Sequence, residues 1–168
     1  LDYTAQFPWE AKEEFPLLFS SFFENYRSVE IIANSMGAYL AINALSDQQI
    51  DQAYFISPVV NMERLIDDMM IWANVTEDKL KEKKEIQTTF GETLSWDYLC
   101  YVRENPIIRK IPTHILYGEK DNLTAYGTIS EFAQKTNSTL SIMKNGEHWF
   151  HTKEQMKFLD NWITSSIL

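Results

Sequence analysis

The stretch from Val29 to Leu45, VEIIANSMGAYLAINAL, constrains the fold most, because a short apolar strand pattern runs directly into an apolar helix pattern. At the hinge is Ala33-Asn34-Ser35-Met36-Gly37, a serine with a small residue two positions before it and another two positions after it. A strand that turns this tightly into a helix holds the serine in a strained backbone conformation, which favours small neighbours. Such a unit belongs in a parallel sheet with helical crossovers.

The rest of the chain has the same rhythm of short apolar runs and longer amphipathic ones. Val29 to Ala33, Gln52 to Ser57, Thr113 to Tyr117 and Thr139 to Met143 read as four strands, each bounded by turn residues or proline. Glu10 to Tyr26 reads as a helix interrupted or started at Pro16, and Met36 to Leu45 as a short apolar helix. Asn122 to Thr136 and His151 to Ile163 carry apolar residues at helical spacing, with Phe158, Leu159 and Trp162 on one face. The expected class is α/β, a mostly parallel sheet flanked by helices.

The rhythm breaks between Asn61 and Asn105, where three helical patterns follow one another and no strand is expected. Met62, Leu65, Ile66 and Met69 fall on one helical face and Glu63, Arg64, Asp67 and Asp68 on the other. Thr76 and Ser95 are candidate N-caps, and Pro106 stops the last helix. Residues 61–105 are therefore expected to form a helical cap inserted into a core made of 1–60 and 106–168. The Met62, Met69, Met70, Trp72, Trp96 and Tyr98 side chains of this insertion either pack on the domain or line an apolar acyl pocket.

Three residues could do chemistry together. A serine at a helix N-terminus has free backbone N–H groups and the positive dipole end beside it, and Met36 N–H is a candidate oxyanion donor. The simpler reading of Ser35 is a helix N-cap with Gly37 as packing space. Asp121 follows the strand Thr113 to Tyr117 in a Gly-x-x-Asp turn, where it could accept a hydrogen bond from an imidazole or simply cap the helix before Leu123. Glu119 is a weaker substitute, since its position in the turn need not point the same way. His148 lies in the loop Asn145-Gly146-Glu147-His148-Trp149-Phe150 after the last strand, where a general base could be held, although a lone loop histidine is commonly a surface residue. His151 is three residues on, but no third ligand cluster accompanies the pair, and no metal or other cofactor is expected. His114, within a strand pattern, reads as structural.

The order Ser35, Asp121, His148, each after a separate strand, resembles the α/β-hydrolase superfamily across nearly the whole chain. That resemblance implies a serine hydrolase of the carboxylesterase kind, with Ser35 as nucleophile, His148 as general base, Asp121 as orienting acid and a small apolar acyl-bearing substrate. The Asn-Ser-Met-Gly tetrapeptide is also similar to that of hydrolases of the same fold that cleave carbon–carbon bonds, and a non-catalytic hydrolase-fold binding module is a third reading. Ala33 stands where the family has the first glycine of Gly-x-Ser-x-Gly. The family's first strands and the oxyanion loop after its third strand have no counterpart, and Leu1-Asp2-Tyr3 resembles only the tail of its fourth strand. A parallel sheet without those strands leaves an apolar edge, so the chain is expected to be the C-terminal part of a longer polypeptide.

Composition narrows the partners. With 15 lysines and arginines against 24 aspartates and glutamates, the net charge of −9 disfavours nucleic acid. The basic run Lys79 to Lys84 is interleaved with acids and reads as a solvated helix face. One cysteine, Cys100, excludes an internal disulfide and suits a reducing, cytoplasmic setting. No run approaches the roughly 18 to 20 apolar residues of a membrane span.

Overall fold

The computed structural model describes residues 3–107 and 111–167. In chain order the elements are α1 (Pro8–Asn25), β1 (Glu30–Asn34), α2 (Ser35–Ala44), β2 (Gln52–Ile56), α3 (Met62–Trp72), α4 (Glu77–Lys83) and β3 (Glu85–Gln87). There follow β4 (Thr93–Ser95), α5 (Trp96–Glu104), β5 (Thr113–Gly118), α6 (Tyr126–Thr136), β6 (Thr139–Met143) and α7 (Lys153–Ile167). The chain divides into two compact units, one formed by Leu1–Val60 with Arg109–Leu168, the other by Asn61–Ile108.

The first unit is built on a four-stranded sheet in the order β1-β2-β5-β6, with every pairing parallel. Parallel strands joined by helical crossovers are covered on both faces, so the central ones are apolar without alternation. Ala53, Tyr54 and Phe55 of β2 and Ile115, Leu116 and Tyr117 of β5 are all buried. Because successive side chains point to opposite faces, Leu116 joins Tyr54, Met143, Phe150 and Trp162 of α7 in one core cluster. Ile115 and Tyr117 join Val60 and the α6 residues Ile129 and Ala133 in another. Adjacent strands thus present their carboxyl ends at one edge, with α6 and α7 on opposite faces.

Strand β1 has β2 as its only strand partner among the described residues, and Ile32 on it is 54% exposed. Leu1 and Asp2, expected to continue a neighbouring strand, lie outside the described residues, and Tyr3 belongs to no strand.

Two helices differ from the sequence expectation. α1 runs through Pro16 without interruption. The acceptor that loses its partner there is the carbonyl of Lys12, a solvent-exposed residue, so water can replace the missing N–H. The helix starts earlier instead, with Pro8 in its first turn and the Glu10 carboxylate accepting the N–H groups of Gln6 and Phe7 at 2.8 and 3.1 Å. α6 begins at Tyr126 rather than Asn122: the Asp121 side chain accepts the N–H groups of Leu123 and Thr124 in a turn, and Ala125, extended at a ψ of 143°, separates that turn from the helix.

The second unit holds the three expected helices and also an antiparallel hairpin of β3 and β4, which corrects the expectation of no strand in this interval. The strands are three residues each, too short to show a period, and they turn through Gly91 at a φ of 96°. Asn61, Thr76 and Ser95 cap α3, α4 and α5, their side chains accepting from Arg64, Lys79 and Tyr98 N–H. Arg103 of α5 joins the other two helices, donating to Glu63 at 2.8 Å and to Glu77 at 2.8 and 2.9 Å. Among the described residues, no helix is long and apolar enough to cross a membrane.

Candidate active site

The carboxyl edge of the parallel sheet brings together three residues that are far apart in sequence. Ser35 immediately follows β1 and opens α2 with a φ of 48°, in the left-handed region that costs a non-glycine residue about 1–3 kcal/mol. The strand-to-helix turn without a loop is what imposes this conformation. Tightness does not extend to Gly37: a Cβ there would meet nothing within 4 Å outside its own helix and chain neighbours, so crowding does not explain that glycine. Ser35 is also not the N-cap of α2; Asn34 holds that place, and its side chain makes no cap hydrogen bond.

The hydroxyl of Ser35 lies 2.9 Å from His148 Nε2, and His148 Nδ1 lies 2.8 Å from Asp121 Oδ2. The side chains of His148 and Asp121 are 1% and 0% exposed, which removes the pair from competition with water. A carboxylate only accepts, so Asp121 fixes the proton of a neutral imidazole on Nδ1 and leaves Nε2 free to accept from the serine. The ring of Trp149 packs edge-on against His148, with centroids 5.1 Å apart.

Asp121 does more than meet the histidine. Its Oδ1 accepts the N–H groups of Leu123 and Thr124 at 2.8 and 2.9 Å, forming a turn of its own. The Thr124 carbonyl in turn accepts from the Tyr117 hydroxyl at 2.8 Å. Burial, the charge of Asp121 and the nearby Tyr126 push the Tyr117 phenol up to about 12. Glu119 points elsewhere, its carboxylate accepting Asn145 N–H at 2.8 Å.

A short segment after β2 connects the serine to the aspartate loop. Ser57, with a φ of 43°, donates its N–H to Leu116 O at 2.8 Å, and Val59 N–H reaches Ser35 O at 3.1 Å. Thr124 Oγ1 donates weakly to Pro58 O at 3.4 Å. These supporting contacts are made largely by backbone, and no residue-type pattern in the sequence announces them.

The other histidines lie outside this arrangement. His114 stacks on Tyr54 and bonds Thr139 Oγ1 at 2.7 Å. His151 precedes α7, and its Nδ1 donates to Trp149 O at 2.6 Å, with Glu147 Oε2 at 3.4 Å. It lines, with His148, Ile32, Asn34, Trp149 and Phe150, a largely apolar cavity of about 370 Å³ beside β1.

Solved structures share this architecture. A proposed hydrolase from Agrobacterium vitis S4 aligns with a TM-score of 0.75 at 16% identity, over 96% of this chain and 69% of its own. The alpha/beta hydrolase domain-containing protein 10 from mouse aligns at 0.72 with 13% identity, again over 96% and 69%. Est1E from Butyrivibrio proteoclasticus, solved with ferulic acid bound, aligns at 0.65 with 16% identity, over 96% and 70%. The chain has the α/β-hydrolase fold. No protein-family model matches the sequence, and no curated protein matches it. Within the hydrolase fold, Ser35, Asp121 and His148 occupy the ends of β1, β5 and β6, at the edge where open parallel sheets gather ligands.

Proposed function

We propose that the protein is a serine hydrolase that cleaves a carboxylic ester or a related acyl bond by way of an acyl-enzyme. The observation that carries this reading is the buried chain from Ser35 Oγ through His148 to Asp121, with links of 2.9 and 2.8 Å. A nucleophile bonded to a base that is itself oriented by a third group is the geometry that activated hydroxyl chemistry needs.

In this reaction Ser35 Oγ bonds to the substrate carbonyl carbon as its proton passes to His148 Nε2. The imidazolium keeps its Nδ1–H on Asp121, whose charge offsets the new positive charge. The carbonyl oxygen becomes an oxyanion beside the first turn of α2, where Met36 N–H supplies one donor. His148 then gives its proton to the leaving oxygen, and an acyl-Ser35 remains. Water, deprotonated by the same imidazole, attacks that ester and releases the acid and the serine.

The substrate we assign is small and carries an apolar acyl group. The apolar lining of the cavity beside His148 supports that class. We further assign the unit Asn61–Ile108, inserted in the chain between β2 and β5, the role of a cap.

Turnover of p-nitrophenyl acetate tests the proposal. Wild-type protein is expected to hydrolyse it, and Ser35→Ala to lose that activity while keeping its unfolding temperature. Equal turnover by the two proteins would contradict the assignment.

A further inference from the structure

We infer that Gly118 is a positioning residue for this reaction: it admits the Gly146–Glu147 backbone into the space a side chain would fill, and so sets the separation of His148 and Asp121. The inference rests on the proposed triad. Gly118 ends β5 and pairs in register with Met143, the last residue of β6. Asp121 follows three residues after Gly118, and His148 two after Gly146. The contact between the two glycines therefore sits at the root of both loops.

A Cβ built on Gly118 would lie 2.6 Å from Gly146 O, 2.7 Å from Glu147 O and 2.7 Å from Gly146 C. All three are backbone atoms, so no flexible side chain can swing aside. The φ of Gly118 is outside the left-handed region, which leaves packing rather than backbone freedom as the reason for glycine here. The approach is reciprocal, since a Cβ on Gly146 would meet Gly118 Cα at 3.1 Å.

Hydrogen bonds close the clasp around this contact. Glu119 N–H donates to Met143 O at 3.0 Å, Lys120 N–H to Gly146 O at 2.7 Å, and Gly146 N–H to Met143 O at 3.0 Å. The Glu119 carboxylate adds Asn145 N–H at 2.8 Å, where Asn145 is itself left-handed at a φ of 57°. With the loops tied this way, any side chain at 118 must move the histidine loop as a body, by about 1 Å. A misplacement of that size costs about 10²-fold in rate even when the altered residue touches no reacting atom.

The test compares wild type with Gly118→Ala, Glu119→Ala and Glu119→Gln, measuring kcat and KM for ester turnover and the rate of fluorophosphonate labelling of Ser35. Gly118→Ala is expected to lower kcat about 10²-fold with KM little changed. Fluorophosphonate labelling of Ser35 should slow to a similar degree, because the displaced histidine no longer sits where it takes the serine proton. Should Gly118→Ala not fold, the Glu119 pair decides: kcat falls several-fold in Glu119→Ala and is recovered in Glu119→Gln, whose amide oxygen still accepts Asn145 N–H. A labelled, active wild type with an unchanged kcat and labelling rate in Gly118→Ala overturns the positioning role alone. Equal kcat in a folded Glu119→Ala and Glu119→Gln overturns it when that pair is the arbiter. A wild type that is neither labelled nor active overturns the triad on which the inference rests.

Discussion

Asp121 divides its carboxylate between His148 and its own turn: Oδ2 meets His148 Nδ1 at 2.8 Å, and Oδ1 holds the N–H groups of Leu123 and Thr124. The two functions separate by mutation. Asp121→Asn keeps an oxygen for the turn but cannot serve as the charged acceptor for the imidazole, so kcat is expected to fall by about 10⁴-fold with stability nearly unchanged. Asp121→Ala should lose the same activity and in addition about 1 kcal/mol of stability, because two buried-turn donors lose their acceptor. Steady-state kinetics beside urea unfolding of both variants checks the split.

Tyr117 supports the same loop from beneath, its buried hydroxyl bonded to Thr124 O. Removing it in Tyr117→Phe is expected to cost about 1 kcal/mol in urea unfolding. The alkaline limb gives a second readout. A phenol raised from 10.0 to about 12 in the folded protein contributes stability that is intact below pH 10 and is lost as pH rises toward 12. The gap between wild type and Tyr117→Phe should therefore narrow across that window and stay constant below it.

Much of this site could be read from the chain, and the reason is the sheet. Parallel strands with helical crossovers send every strand's carboxyl end to one edge, so Ser35, Asp121 and His148, each just after an apolar run, were bound to neighbour one another once the strands were placed. Their supports were not legible. The Gly118–Gly146 contact and the Val59 N–H on Ser35 O are made by backbone, and a lone glycine or valine carries no sign of what it touches. The β3–β4 hairpin escaped because three-residue strands such as Glu85–Gln87 offer no alternation to detect. The start of α6 is not legible either, because Ala125, a good helix former, stands in extended conformation as the N-cap and nothing in its residue type shows it.

In the Asn61–Ile108 unit, burial together with Glu63, Glu77 and Asp68 raises the Asp67 carboxyl above its usual range, with Arg103 opposing the shift. A raised acid favours the folded state while protonated and loses that contribution as pH rises through its folded value. Asp67→Asn, permanently neutral, should accordingly unfold at a higher temperature than wild type at pH 7, and the difference should vanish near pH 3. A lower midpoint for the variant at pH 7 would show that Asp67 is net stabilising as an anion.

Ser35 as an activated nucleophile is tested most directly by labelling the protein with a fluorophosphonate probe, followed by peptide mass analysis. One adduct is expected, on Ser35, absent in Ser35→Ala and formed far more slowly in His148→Ala. No adduct on the wild-type protein, or an adduct that survives Ser35→Ala undiminished, would contradict it.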